Sequence, residues 1–204
     1  MKVAIINYGM GNVASVDKAI KHLGFESIIT NDPIEIKQAT YIILPGVGAF
    51  AQGMENLHKL GLVEILSNEV MGNKKPFLGI CLGMQLIASR GFEPNLTSGL
   101  DWIKGDVVKI VDSKKSIPHL GWNDITETKN SIIKDFNNKD FYFIHSFHFD
   151  VLNKEDIAAT VNYGKDYVAA IQKDNIFATQ FHPEKSQTSG LELMKSFFSY
   201  YAKN

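Results

Sequence analysis

Cys81 is the only cysteine in the chain and stands in "GICLG", Gly79 to Gly83. The form G-x-nucleophile-x-G, with cysteine in place of serine, describes an elbow that holds a nucleophile on a sharp turn between a strand and a helix. Glycines two residues to either side relieve crowding between those elements. A thiol at a helix start gives up its proton more readily, and the backbone N–H of Leu82 would face an oxyanion. Such a nucleophile needs a base held by a third group. Of the six histidines, His182 in "TQFHPEKS" ends an apolar run. Pro183 biases His182 toward extended backbone, and residues i and i+2 of an extended segment face the same way, which brings Glu184 to the imidazole. Taken singly, a buried structural cysteine or an incidental His and Glu at a strand end explains each motif. Their coincidence points to nucleophilic catalysis by a thiolate. A third stretch, "LPGVGAF" from Leu44 to Phe50, reads alone as a glycine turn. Beside the elbow, N–H groups around Gly46, Val47 and Gly48 would complete an oxyanion hole, because glycine lets backbone approach a ligand closely. The two glycines also lower the cost of rotating the peptide between them, so this loop is expected to act as a switch.

The elements that must position these groups follow from apolar periodicity. "KVAIIN" reads as a buried strand, "VASVDKAIKHLG" as a helix stopped at Gly24, and "FESIIT" and "YIILPGVG" as two further strands. "MENLHKLGLVEILSNEV" is helical with a break expected at Gly61. "PFLGIC" is a strand, and "GMQLIASR" begins the helix after it. Strand and helix alternate, which predicts an α/β fold with an open, mainly parallel, doubly wound sheet. From about residue 100 the texture changes to short strands: "GDVVKIVD", "FYFIHSFHFD", "DIAATVNYG", "DYVAAIQKD" and "NIFATQFH". "GLELMKSFFSYYAK" closes the chain as a helix, while "DSKKS" and "NNKD" read as exposed turns. A single domain over residues 1–204 is expected.

Composition narrows the partners. Of 204 residues, 45% are hydrophobic and 21% charged, enough for a full core. The formal net charge of −1 leaves no basic footprint for nucleic acid. A lone cysteine makes no internal disulfide and fits a reducing compartment. "VAII" is too short for a signal-peptide core, and no window reaches membrane-spanning length, so a cytoplasmic protein without membrane partners is expected.

The segments "NYGMGNVASV", "LPGVGAF", "PFLGICLGMQL", "PHLGWN", "YFIHSF" and "FHPEKSQTSGL" together resemble the class I, or triad, glutamine amidotransferases. Within that family the likeness is nearest to the glutaminase subunits of imidazole glycerol phosphate synthase, and it spans nearly the whole chain. The resemblance implies that Cys81 attacks the side-chain amide of glutamine, that His182 shuttles protons, and that Glu184 orients His182. It implies a glutamyl thioester hydrolysed to glutamate, with no cofactor and no metal. Gln85 would help hold the substrate, and the backbone of His145, Ser146 and Phe147 would bind its α-carboxylate. Ammonia would pass to a (β/α)₈ barrel synthase subunit in a heterodimer of histidine biosynthesis, with His119, Trp122 and Asn123 of "PHLGWN", and Lys185, near that interface. Asp101 and Trp102 interrupt a stretch that is glycine-rich in many relatives, and Phe147 and His148 stand where tyrosines are common. These departures leave the triad untouched and bear on the acceptor. A paralogous subunit feeding ammonia to a synthase of surface sugars is the alternative.

Two other chemistries use the same residues. Gly9-x-Gly11-x-x-Ala14 after the first strand, with Asp32 near the end of the second, fits a dinucleotide fingerprint. That reading leaves Cys81, His182 and Glu184 without a role. Three ligands from those side chains would suit zinc, but "HPE" lacks zinc-binding spacing. An intact triad also argues against a non-enzymatic binding module.

Overall fold

The computed structural model describes residues 2–111, 115–129 and 131–202. The first half runs β1 (Lys2–Ile6), α1 (Val13–His22), β2 (Glu26–Thr30), α2 (Pro33–Gln38), β3 (Tyr41–Gly46), α3 (Phe50–Lys59), α4 (Leu62–Ser67), β4 (Phe77–Cys81) and α5 (Leu82–Leu86). The second half runs β5 (Arg90–Phe92), β6 (Leu96–Ser98), β7 (Gly105–Lys109), β8 (His119–Glu127), β9 (Asp140–His145), β10 (Phe147–Val151), β11 (Ile157–Asn162), β12 (Asp166–Lys173), β13 (Ile176–Thr179) and α6 (Gln187–Tyr201).

Nine strands form one sheet in the order β2-β1-β3-β4-β13-β12-β11-β8-β9. From β2 to β13 every neighbour is parallel; from β13 to β9 every neighbour is antiparallel. The sheet is therefore mixed, its parallel part built by the βα units of the first half. The inner parallel strands β1, β3 and β4 are buried on both faces, and their side chains alternate between two cores. Ala4, Ile6, Ile42 and Leu44 enter one cluster with Phe50 and Leu57 of α3; Val3, Ile5, Tyr41 and Ile43 enter the other with Ile20 of α1 and Phe197 of α6.

The expected stops hold for local reasons. Gly24, at φ +82, follows α1, and Gly61, at φ +66, separates α3 from α4. The Asn12 side chain caps α1 by accepting from Ser15 N. Other boundaries differ. The helix after Cys81 lasts five residues, because the chain at once turns into β5 and β6 of a second, four-stranded sheet ordered β10-β7-β5-β6. "FYFIHSFHFD" is two strands broken at Ser146: β9 belongs to the large sheet and β10 to the small one. "PHLGWN" opens β8, a strand the periodicity did not reveal. Part of "DSKKS" lies outside the described residues. The glycines of the dinucleotide fingerprint sit in the turn after β1, with Gly11 packed against the Pro45 carbonyl, and Asp32 accepts from Ile34 N as the cap of α2. Among the described residues no helix is long and apolar enough to cross a membrane.

Candidate active site

Strand order assembles the site. β4 lies between β3 and β13, with Gly46 in register with Cys81 and Ile80 in register with Thr179. The carboxyl ends of three adjacent strands thus present the glycine loop, Cys81 and the segment leading to His182. Such an end of a parallel sheet is where open α/β folds bind ligands.

Cys81 ends β4 at φ 53 and ψ −108, outside the regions an L-residue favours, and the first turn of α5 begins at Leu82. Strain of this kind persists where surrounding structure over-determines it. Here the determinants are steric. A Cβ on Gly83 would stand 1.8 Å from the Leu44 carbonyl oxygen, and one on Gly79 would stand 2.9 Å from the Gly83 oxygen. A Cβ on Gly46 would meet the Tyr8 hydroxyl at 2.3 Å and Leu82 Cβ at 2.8 Å. The glycines let strand and helix meet at contact distance, and Cys81 takes the turn that results.

His182 is extended, at φ −98 and ψ 94, as the following proline demands. Glu184 does not continue that strand, however: Pro183–Lys185 is a 3₁₀ turn. The turn brings Glu184 Oε1 to 2.8 Å from His182 Nδ1. Both side chains are 2% exposed. Burial works against a charged imidazole, but hydrogen bonding and charge from Cys81 and Glu184 outweigh it and raise His182 to about 10. Nδ1 is committed to Glu184, so Nε2 is the nitrogen left for Cys81. Among the described residues neither Nε2 nor Glu184 Oε2 meets the geometry of a formed hydrogen bond, although Cys81 is near enough to act on the imidazole's charge. Cys81 Sγ instead lies 3.9 Å from the Ile144 carbonyl and 3.7 Å from Gln180 Nε2. Glu184 is spent on the imidazole rather than turned toward a point shared with Cys81 and His182, which disfavours a metal reading of the three.

A cavity of about 340 Å³ opens over Cys81. It is lined by Val47, Gly48, Leu82 and Gln85 from the parallel half and by Ile144, His145, Ser146 and Phe147 from the corner between the two sheets. The corner is held over the elbow because His182 N donates to the Tyr142 carbonyl at 2.9 Å and Tyr142 N donates to Ser186 Oγ at 3.0 Å. Gln85 Nε2 donates to the Phe147 carbonyl and to Gln180 Oε1, each at 3.0 Å, which leaves its Oε1 as an acceptor for a ligand.

Two residues escaped the sequence reading. Glu93 also lines the cavity; its Oε2 accepts from Phe50 N at 3.1 Å, and burial raises its pKa. Tyr8 is 1% exposed beside Gly46, its hydroxyl has no hydrogen bond among the described residues, and burial followed by the charge of Cys81 raises its pKa. Nothing in "GFEPN" or "INYGM" marks either residue, since non-local packing brings them to the site.

The residues expected at an interface divide. Along β8 side chains alternate, and Leu120 and Trp122 point outward at 58% and 48% exposure. His119 and Asn123 point inward; His119 is 3% exposed, and Asn123 Nδ2 hydrogen-bonds it. Lys185 is exposed, with Nζ 5.9 Å from the Tyr142 ring centroid.

With this geometry in place, comparison with known proteins is consistent throughout. The family model for glutamine amidotransferase class-I matches residues 4–200. The chain belongs to the class I glutamine amidotransferases. Its relatives carry a more particular name. It is 46% identical over 198 residues to imidazole glycerol phosphate synthase subunit HisH 1 of Campylobacter jejuni, covering 96% of this chain and 98% of that protein. It is also 46% identical over 198 residues to HisH 2 of Methanococcus maripaludis, with 96% and 98% covered, and 45% identical over 197 residues to HisH of Caldanaerobacter subterraneus, with 96% of each covered. Among solved structures, one described as a glutamine amidotransferase has a TM-score of 0.77 at 17% identity, over 98% of both chains. A putative GMP synthase subunit from Thermoplasma acidophilum has a TM-score of 0.74 at 20% identity, over 100% of this chain and 94% of that one. At those identities the likeness speaks for the fold.

Proposed function

We propose that this chain is the glutaminase subunit of an imidazole glycerol phosphate synthase, a single glutamine amidotransferase domain of the cytoplasm. One observation carries the chemistry: a strained cysteine lines the cavity, and the buried His182–Glu184 pair lies near enough for the charge of Cys81 to act on the imidazole. Cys81 Sγ attacks the carboxamide carbon of glutamine, giving a tetrahedral oxyanion. The N–H of Leu82 and an N–H of the 46–48 loop stabilise that charge. His182 delivers a proton to the departing nitrogen, ammonia leaves, and a glutamyl thioester remains. Water then attacks the thioester carbon, His182 takes its proton, and glutamate and free Cys81 are restored. Glu184 holds the imidazole in the tautomer that keeps Nε2 toward the thiol. The Gln85 Oε1 acceptor and the Glu93 carboxylate suit the substrate's ammonium group. The backbone at His145, Ser146 and Phe147 suits its carboxylate.

Ammonia is passed to a (β/α)₈ barrel synthase subunit, which uses it on a ribulosyl-linked imidazole carboxamide nucleotide. Support for a docked partner comes from the outer face of β8 and β9. Leu120 opposite Ile144, and Trp122 opposite Tyr142, form an exposed, mostly apolar patch, and Ile144 also lines the cavity. Contiguous exposed apolar surface of this kind marks an interaction site. The two glycines lower the cost of rotating the Gly46–Gly48 peptide, which supports a resting state that a partner completes by turning an N–H toward the oxyanion.

The test is to purify the chain with the proteins that accompany it, then measure glutamate release and nucleotide amination. Glutamine-dependent formation of imidazole glycerol phosphate with a barrel subunit, and slow hydrolysis by the chain alone, is the expected result. Delivery of ammonia only to a surface-sugar synthase would move the chain to the paralogous reading.

A further inference from the structure

Two buried histidines take no part in the chemistry above, yet they end at the substrate cavity. His119 Nδ1 lies 3.1 Å from His145 Nε2, and His145 Nδ1 lies 2.8 Å from the Phe147 carbonyl oxygen. At the other end, Asn123 Nδ2 lies 3.3 Å from His119 Nε2.

Only one arrangement of protons satisfies this chain. Asn123 Nδ2 also donates to the Asn162 carbonyl at 3.0 Å, and its Oδ1 accepts from Asp124 N at 3.0 Å, so the amide cannot be flipped. His119 Nε2 must therefore accept, and the His119 proton sits on Nδ1. That proton is donated to His145 Nε2, so the His145 proton also sits on Nδ1 and is donated to the Phe147 oxygen. From the opposite end the answer is the same, since a carbonyl oxygen can only accept. An added proton on either ring would set two N–H groups against each other or against the Asn123 amide. The electrostatics agree. Burial, with Lys115 nearby, lowers His119 to about 4. Burial, with the charges of His119, His148 and His182, outweighs the Phe147 hydrogen bond and lowers His145 to about 3. Phe143 and Tyr163 clamp the His119 ring, stacked at centroid distances of 4.7 Å and 4.1 Å.

The chain fixes a peptide that faces the ligand. Ile110 N donates to the Ser146 carbonyl at 2.9 Å, which makes Ser146 and Ile110 a hydrogen-bonded pair of the small sheet. The next pair, Phe147 with Lys109, is then a non-bonded pair, and the N–H and C=O of Phe147 turn away from β7. The carbonyl receives His145 Nδ1 and Gln85 Nε2. Its N–H, on the same edge, is left for the cavity that Phe147 lines.

We propose that His119 and His145 are positioning residues for glutamine binding: a proton-ordered chain from Asn162 to Phe147 that holds the Phe147 N–H toward the substrate's α-carboxylate. The proposal rests on the glutaminase reading and adds to it the two neutral histidines that set the geometry.

The test uses His119, which does not touch the cavity. In the complex with the partner, His119→Phe keeps a ring between Phe143 and Tyr163 but removes the donor; the expected result is a KM for glutamine raised about tenfold with kcat within about twofold. His119→Asn, whose amide nitrogen replaces Nδ1, is expected to restore KM to within about threefold. An unchanged KM in a folded His119→Phe complex, or equal loss in both variants, would overturn the proposal. Nitrogen-15 spectra of the wild-type chain give an answer that needs no variant and no turnover. Both rings are expected as neutral Nδ1–H tautomers that do not titrate between about pH 5 and 8. An Nε2–H tautomer on either, or a titration above about pH 6, rejects the chain of donors. If the spectra agree but the wild-type complex releases no glutamate from glutamine, the glutaminase reading fails and takes the assignment to glutamine binding with it, while the order of donors stands.

Discussion

His182 Nδ1 and Glu184 Oε1 are 2.8 Å apart although the two residues are separated only by Pro183, and the 3₁₀ turn at Pro183–Lys185 closes that distance. Glu184 Oε2 makes no hydrogen bond among the described residues. A glutamine at 184 can therefore turn its NH₂ to that side and keep an acceptor for Nδ1. His182→Ala is expected to lower kcat for glutamine by at least about 10³-fold, the range of a lost general acid–base group, and Glu184→Gln by less. Comparing the two at saturating glutamine checks the roles, and the reverse order contradicts them.

Cys81→Ala is expected to abolish glutamine-dependent synthesis and to spare synthesis from free ammonium by the partner, because the role proposed for Cys81 is confined to releasing ammonia. The positive φ of Cys81, 53°, adds a second expectation. Cys81→Gly removes the strain of a side chain at that angle and should resist urea better than Cys81→Ala by about 1 kcal/mol. A lower urea midpoint for the glycine variant would mean that the elbow is not strained.

Gly83→Ala places a methyl group 1.8 Å from a backbone oxygen that cannot move without breaking β3. It should cost more than about 3 kcal/mol and remove glutaminase activity in whatever protein folds. Gly72→Ala meets nothing within 4 Å, in the helical turn that ends at Gly72. It should be neutral or stabilising by up to about 1 kcal/mol. Thermal denaturation of the pair separates steric demand from a general aversion to substitution.

Stability should depend on pH with opposite signs at two places. His182 is raised from 6.5 to about 10, so the stability its proton confers is present below about pH 6.5 and is lost as pH rises toward 10. His119 and His145 are lowered to about 4 and 3, so their contribution is present above about pH 6.5 and is lost as pH falls toward those values. Each group gives a slope of at most about 1.4 kcal/mol per pH unit. Urea midpoints across the range check this: His182→Ala should flatten the alkaline limb and His119→Phe the acid limb. Unchanged limbs would remove the assigned partners.

Much of the site was legible because its parts are local. A G-x-Cys-x-G turn, a Pro that extends His182 and a glycine loop after a strand are consequences of backbone preference within a few residues. Each falls where expected: Cys81 ends β4, Leu82 starts α5, and Gly46 ends β3. The alternation of strand and helix likewise follows from apolar spacing.

Other features rest on contacts between distant segments, and periodicity carries no information about them. The sequence alone determined that a cysteine elbow, a histidine followed by a proline and a glutamate, and a glycine loop exist, because each is written in a handful of adjacent residues. Tertiary structure decided that β13 lies beside β4, which sets His182 next to Cys81 across about a hundred residues. It decided that "FYFIHSFHFD" bends at Ser146 to roof the cavity, that Glu93 arrives there and Tyr8 beside Gly46, and that His119 turns inward to His145 instead of outward. The reason is physical: backbone conformation responds to neighbours in the chain, whereas strand order and side-chain burial are settled only when all the apolar faces are buried together.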